Sequence, residues 1–344
     1  MSKTPPLKIL YVIDKMVRAG AQRHLCRLLS GLERKLYIPR VCFLLYSGPL
    51  AEELEKLGIE VFSLEQKNIM GSRFPRTVRA IAKIVRTFNI DLIHSYLFSA
   101  NIVSPFAGVC TGIPVITSRR DDGFWKRRRH ILAHKAANLF TARITANSEA
   151  VIDYVHKVEG VSAGKTVLIE NGIDVSALAG AGRSFSGDRS GPVRIGCLGN
   201  IRPVKGYEFL LRALKKTKNP SGLKLQIGGR VLDQSYFRSL RRQIKEEGLT
   251  GIVEFSGEVS VLKDFFRDKD IFVLPSISEG FSNALLEAMA AGLPAVATSV
   301  GANRRVIRNT EEGILVRPEN SGDLADGLDY LLDDPDRARR IGKA

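Results

Sequence analysis

Two carboxylates eight positions apart, Glu279 and Glu287, bracket the stretch Glu-Gly-Phe-Ser-Asn-Ala-Leu-Leu-Glu. The apolar run Ile271–Leu274 precedes it, and Ser282 or Asn283 can cap a helix that follows. Glu279 then falls in the loop ahead of that helix, and Glu287 lies a little over one turn inside it. The amides of Gly280, Phe281 and Ser282 stand at the helix N-terminus, where the dipole and unpaired N–H groups favour an anion such as a phosphate. A carboxylate beside that site repels phosphate but accepts hydrogen bonds from sugar hydroxyls.

A second group supplies cations. In Cys197-Leu-Gly-Asn-Ile-Arg202-Pro-Val-Lys205-Gly-Tyr, an apolar strand runs into a loop holding Arg202 and Lys205. Two cations so placed can neutralise a diphosphate, Arg through its planar fork and Lys as a point charge. A third candidate is the loop Asp14-Lys-Met-Val-Arg-Ala-Gly20-Ala-Gln, where Gly20 allows close backbone approach at the mouth of a helix. Neither Gly-x-Gly-x-x-Gly nor the full phosphate loop Gly-x-x-x-x-Gly-Lys-Ser/Thr occurs, which disfavours a dinucleotide oxidoreductase and a P-loop NTPase. Asp268-Lys-Asp270 leads directly into a strand and reads as a helix-end turn rather than a metal motif.

These residues need strands and helices to hold them. Strand-length apolar runs alternate with amphipathic stretches along the whole chain, the signature of βαβ units and parallel sheets. In the first half the predicted strands are Lys8–Ile13, Arg40–Tyr46, Glu60–Leu64, Asp91–Ser95, Pro114–Ser118, Arg143–Ala146 and Val167–Glu170. The Gly- and Ser-rich stretch Asp174–Pro192 supports neither period and reads as a linker. The pattern then restarts with Val193–Leu198, Lys224–Ile227, Val253–Ser256, Ile271–Leu274, Ala295–Thr298 and Ile314–Val316. The expectation is two doubly wound α/β domains, 1–185 and 186–344, whose ligands bind beyond the carboxyl ends of the strands.

In order and spacing, Asn147-Ser-Glu-Ala-Val, Asn171-Gly-Ile-Asp, Arg202-x-x-Lys205-Gly and Pro275-Ser-x-x-Glu279-Gly-Phe…Glu287-Ala-Met-Ala-x-Gly-x-Pro resemble glycosyltransferase family 4. The resemblance runs from the Ala-Gly-Ala-Gln loop to Glu312-Gly-Ile-Leu-Val. It implies the GT-B fold, two Rossmann-like domains facing each other across a cleft, with a retaining, metal-independent transferase of hexosyl type. The donor would be a nucleotide-diphosphate sugar, a UDP- or GDP-sugar first. The acceptor would be a glycan or lipid-linked sugar in polysaccharide assembly. On this resemblance Arg202 and Lys205 hold the diphosphate, Glu279 contacts the donor sugar, the amides of Gly280, Phe281 and Ser282 meet the phosphate, and Glu287 binds the ribose. Gly199 joins this donor side. Gly20 faces donor and acceptor from the first domain.

The chain departs from the family at two positions. Arg119 falls where many members carry a His, with His94 at the preceding strand end and Asn147 further acceptor-side candidates. Arg305 in Gly301-Ala-Asn-Arg-Arg305 stands where the family often has Glu. An Arg stays protonated, so either residue acts electrostatically. Two other readings stay open: a catalytically silent sugar-nucleotide-binding partner and a GT-B sugar-nucleotide epimerase. The chain stops within the helical pattern Arg337–Ala344, where family members commonly continue, so truncation is expected.

Composition frames these readings. The 344 residues exceed one ordinary core, and 44% apolar with 26% charged residues is a globular balance. Of the net charge of +16, residues 1–183 carry +12 and residues 184–344 carry +4. Such asymmetry suits an anionic membrane surface or a phosphorylated substrate, and Phe124-Trp-Lys-Arg-Arg-Arg-His130 could sit at a lipid headgroup layer. No nucleic-acid recognition signature accompanies it. Without a signal-like or spanning segment, the expected location is cytoplasmic, peripheral at the inner membrane face. The scattered Cys26, Cys42, Cys110 and Cys197 are expected to be reduced core residues.

Overall fold

The computed structural model describes residues 5–17, 20–46, 48, 50–66, 69, 71–121, 123, 125–182 and 191–344. The chain divides into two units, Met1–Gly172 and Ile173–Ala344.

Unit 1 alternates strand and helix: β1 (Leu7–Lys15), α1 (Gly20–Gly31), β2 (Tyr37–Tyr46), α2 (Leu50–Lys56), β3 (Glu60–Ser63), α3 (Phe74–Thr87), β4 (Leu92–Tyr96), α4 (Phe98–Thr111), β5 (Val115–Arg119), α5 (Arg128–Leu139), β6 (Arg143–Ala146), α6 (Glu149–Lys157) and β7 (Thr166–Leu168). Its seven strands form one parallel sheet in the order β3-β2-β1-β4-β5-β6-β7. Successive side chains on a strand face opposite ways, so β1 serves two cores. Leu10 and Val12 join Ile81, Val85 and Val103 on one face, while Ile9, Tyr11 and Ile13 join Leu25 and Leu29 on the other. With both faces covered, the strands read as continuous apolar runs. Pro75 opens α3, where its missing N–H costs no bond.

Unit 2 begins with α7 (Val175–Leu178) and continues as β8 (Val193–Leu198), α8 (Tyr207–Lys216), β9 (Leu223–Gly228), α9 (Gln234–Glu246), β10 (Val253–Gly257), α10 (Leu262–Phe266), β11 (Ile271–Leu274), α11 (Asn283–Ala290), β12 (Ala295–Thr298), α12 (Asn303–Val306), β13 (Ile314–Val316), α13 (Ser321–Leu332) and α14 (Pro335–Lys343). Its six strands are also parallel, in the order β10-β9-β8-β11-β12-β13. Ile271 and Val273 face one core, and Phe272 and Leu274 the other.

In both sheets the strand order reverses direction once, between β1 and β4 and between β8 and β11. At such a reversal the flanking loops diverge to opposite faces and leave a crevice beyond the carboxyl ends, where ligands bind.

Two expectations change. The division falls before the expected 185/186, because part of the supposed linker is built into unit 2: Leu178 and Ala181 pack with Phe266 and Leu285, and Gly182 donates its N–H to the Ala291 carbonyl at 2.7 Å. Residues 183–190 lie outside the described ones. Of the cysteines, Cys42 and Cys197 are buried as expected, but Cys110, near the end of α4, is exposed. Among the described residues no helix is long and apolar enough to cross a membrane.

Candidate functional site

In unit 2 three loops meet at the reversal point. The first leaves β8 at Gly199, whose N–H donates to the Gly228 carbonyl at 2.8 Å and whose carbonyl accepts from the Tyr207 hydroxyl at 2.6 Å. It passes exposed Arg202, tightens into one turn of 3₁₀ helix over Pro203–Lys205, and enters α8 through Gly206. Gly206 has φ +63°, and a Cβ there would lie 2.2 Å from the Pro275 carbonyl oxygen. Only glycine fits. The Val204 carbonyl accepts from the Ile277 N–H at 2.8 Å, fastening this loop to the next.

That second loop leaves β11 at Pro275. The Thr298 hydroxyl, from the end of β12, donates to the fully buried Ser276's carbonyl at 2.6 Å. Glu279 follows, its Oε1 accepting from Lys205 Nζ at 2.5 Å and from the Ser276 hydroxyl at 2.7 Å. Both charged side chains are largely withdrawn from solvent, 14% and 12% exposed. The Gly280 carbonyl accepts from the Ala302 N–H at 3.1 Å, which brings in the third loop, after β12. Ser282 caps α11, its hydroxyl accepting from the Leu285 N–H at 3.3 Å. Glu287 is buried within α11, 3% exposed. Arg305 lies on α12 and is exposed.

The sequence candidates Gly199, Arg202, Lys205, Glu279, Gly280, Phe281, Ser282 and Glu287 therefore sit on two adjoining loops and the first turns of the helices they enter. What sequence reasoning missed is the Lys205–Glu279 ion pair, which joins residues 74 positions apart.

Unit 1 scatters its candidates. Gly20 is exposed and opens α1, next to residues outside the described ones. His94 on β4 lies 2.9 Å through Nε2 from the Ser118 hydroxyl, which lies 2.7 Å from the Thr145 hydroxyl. Burial and the nearby Arg120 push its imidazole down to about 3, so it is neutral.

Arg119 is not beside His94. It points to the opposite face of the sheet and donates through Nε and Nη2 to Glu159, at 3.1 and 3.0 Å, and to Asn138 Oδ1 at 2.8 Å. Glu159 also accepts from Lys126 Nζ at 2.9 Å, and His134 Nδ1 lies 3.1 Å away. Burial alone would raise the Glu159 carboxyl, but Arg119, His134 and Lys126 together hold it well below the usual carboxylate range. Burial and Arg119 push His134 down to about 4. This is an internal cluster anchoring the segment after β5. Lys126, expected on a basic surface, is consumed by it, while Arg127, Arg128, Arg129 and Trp125 are exposed and Phe124 lies outside the described residues.

The residue that stands with His94 is Arg120, unnoticed in the sequence. Side chains alternate along a strand, so the neighbour of Arg119 takes the other face. Arg120 lies over the Tyr96 ring at 6.0 Å and donates through Nη2 to Asn171 Oδ1 at 2.6 Å. The Asn147 amide reaches the Arg120 carbonyl at 3.5 Å. His24, on α1, completes the group, 6.3 Å from Tyr96 between ring centres.

Comparison with known proteins places this architecture. The profile of Glycosyltransferase Family 4 matches residues 18–177, and that of Glycosyl transferases group 1 matches residues 183–344. The chain belongs to glycosyltransferase family 4. A D-inositol 3-phosphate glycosyltransferase of Paenarthrobacter aurescens is 31% identical over 59% of this chain and 52% of its own. One from Pseudarthrobacter chlorophenolicus is 27% identical over 74% of this chain and 65% of its own. The chain thus spans between half and two thirds of these relatives' lengths. Among solved structures, Anabaena HepE in complex with UDP and glucose has a TM-score of 0.86 at 23% identity, over 98% of this chain and 93% of that one. That likeness shows the fold, GT-B.

Proposed function

We propose that this family 4 chain is a retaining, metal-independent glycosyltransferase that moves a sugar from a nucleotide-diphosphate sugar to a hydroxyl of a glycan or lipid-linked acceptor. The observation that carries the reading is the Lys205–Glu279 pair at the unit 2 reversal point. It sets a cation for phosphate beside a carboxylate for sugar hydroxyls at the end of one crevice, which is the polarity of a nucleotide sugar. The relatives named D-inositol 3-phosphate glycosyltransferase and the neighbour solved with UDP and glucose support the same chemistry.

Breaking the anomeric C–O bond leaves positive charge on the sugar and negative charge on the diphosphate. Arg202, Lys205 and the amides of Gly280, Phe281 and Ser282 are the groups to stabilise the latter. Glu279 accepts from the sugar hydroxyls and Glu287 from the ribose. Retention follows when the acceptor hydroxyl attacks the face the diphosphate leaves, a phosphate oxygen taking its proton and the new C–O bond replacing the old. In unit 1 Gly20, His94 and Asn147 serve the acceptor side, and Arg119 acts only by anchoring the segment after β5. The exposed Trp125 and Arg127–Arg129 are the surface offered to an anionic membrane.

The test is a thermal-shift panel of UDP-, GDP-, ADP- and dTDP-sugars with and without EDTA, since a ligand bound only by the native state raises its stability. One nucleotide series should shift the melt regardless of EDTA, and anomeric NMR of the product should show the donor's configuration. Glu279→Gln should cut kcat by about 100-fold, the scale of losing one preorganised polar group, and Lys205→Ala should raise the donor's Kd. No response to any nucleotide sugar, or wild-type kinetics in both variants, would overturn the assignment.

A further inference from the structure

Asp268 and Lys269 take no part in the donor chemistry above. They border a cavity of about 530 Å³ at the amino ends of the unit 2 strands, the opposite end of the sheet from Glu279, and a size usual for a small-molecule site. Residues paired across neighbouring strands face the same way, so Arg194 on β8, Lys224 and Gln226 on β9 and Glu254 on β10 share one face, while Ile195 and Leu225 face the core behind. Parallel sheets are ordinarily covered on both faces. This corner stays open and polar because α10, the helix of the crossover from β10 to β11, has five residues.

Lys269 closes the inner wall. Its stem lies against Gly196, where a Cβ would come 3.1 Å from Cγ, and its ammonium stands 5.1 Å from the Phe265 ring centre. The side chain is 3% exposed, and among the described residues its ammonium hydrogen-bonds only Asp268. Asp268 also accepts from Arg194 Nη1 at 2.7 Å, so two cations share one carboxylate. Lys224 bonds the neutral Gly251 carbonyl. The cations thus stand on β9, β8 and the start of β11, which are adjacent, and the other lining carboxylate, Glu254, is on the outer strand β10. An ammonium offers three donors, and withdrawing one from water with donors unused is costly, so the inner end of the cavity favours an anion.

The same strands lead to the donor site. β8 runs from Arg194 to the loop of Arg202 and Lys205, and β11 runs from Asp270 to the loop of Glu279. At the cavity wall they are clasped, since the Arg194 N–H donates to Asp270 Oδ2 and the Asp270 N–H to the Arg194 carbonyl, both at 2.8 Å. We infer that this cavity binds a small anion, phosphate or carboxylate, against Lys269, Arg194 and Lys224, and that the anion is an effector of the donor site. Its effector role rests on the transferase reading above, while the anion site stands on the cavity alone.

The experiment follows amide hydrogen exchange of the full chain on adding inorganic phosphate, citrate or, at matched ionic strength, sodium chloride. Phosphate or citrate should slow exchange at Leu225, Ile252 and Lys269 by about threefold or more over chloride, because a ligand of the native state suppresses local opening. Which of the two does so tells phosphate from carboxylate. Lys269→Met keeps the buried stem without its charge, and Lys224→Gln alters only an exposed residue and so decides the matter should the first variant fail to fold. Both should abolish the protection. With the nucleotide that the panel selects, the effective anion should change the donor's Kd by about fivefold or more, and the donor should change the anion's Kd by the same factor. Exchange no slower than in chloride, protection confined to the donor-loop amides of Gly280, Phe281 and Ser282, or a wild-type response in Lys224→Gln would overturn the anion site. An unchanged donor Kd would overturn the effector role. Failure of every nucleotide sugar would remove the transferase reading and leave the protection at Leu225 and Lys269 in place.

Discussion

Gly301 has φ +53°, and a Cβ on it would lie 2.0 Å from the Glu279 carbonyl oxygen. Gly301→Ala must therefore push the second loop away or strain the third, at a cost of about 1–3 kcal/mol. Activity should fall by more than tenfold with the far-UV spectrum unchanged, and the donor's thermal shift should shrink with it. A variant with wild-type donor binding would show that the loop contact does not set the Glu279 position. Sequence inspection named Glu279 and Lys205 because carboxylate, cations and glycines stand at fixed places beside strand ends. It could not show that they pair, since the contact depends on β8 and β11 lying side by side. Arg119 illustrates a sharper limit. The sequence Ser-Arg-Arg-Asp offers two guanidinium groups in succession, and a shift of one residue on a strand exchanges faces. The choice between the cluster with Glu159 and the company of His94 was not written locally.

Elements were easier to read than contacts. The strands around both sites were legible because parallel strands are apolar on both faces and stand out as unbroken runs. Thus β6, β8, β11, β12 and β13 match expectation to the residue, and the others shift by a few positions at their ends. By contrast α7 was missed, since four residues amid Gly and Ser show no helical period. Its place comes from Leu178 being 6% exposed among Phe266, Leu285 and Leu293. Leu178→Ala should cost about 2–5 kcal/mol, the range for a buried leucine. Native-state hydrogen exchange should locate the loss in unit 2, with amides of β4 and β5 in unit 1 unaffected. Uniform loss across both sheets would refute this placement.

At the scale of the whole molecule, the two units should respond differently to acid. All five histidines precede residue 172, so unit 2 contains none. Burial above all pushes His24 and His94 down to about 3 and His134 to about 4. A base whose folded pKa is depressed binds its proton more readily when unfolded, so stability is full above the ordinary value near 6.5 and drains as pH falls toward the folded value. Asp14 acts in the opposite sense. Burial raises its carboxyl to about 6 even though it accepts from the Ser99 and Ala100 amides, so acidification below 6 relieves a cost. Three groups against one leave unit 1 the acid-sensitive half. Its melting temperature should drop between pH 6.5 and 4.5 while that of unit 2 holds, and His134→Gln should flatten the slope. Coincident loss in both units would contradict the assignment.

The Lys205–Glu279 pair also sets an order of events in time. These two charges cancel each other, so on the proposed function an approaching diphosphate first meets exposed Arg202. Capture then has two stages, a long-range encounter quickened by low ionic strength and a slower exchange in which Lys205 trades carboxylate for phosphate. Stopped-flow traces of donor binding would resolve them as one salt-dependent phase that scales with concentration and one that saturates.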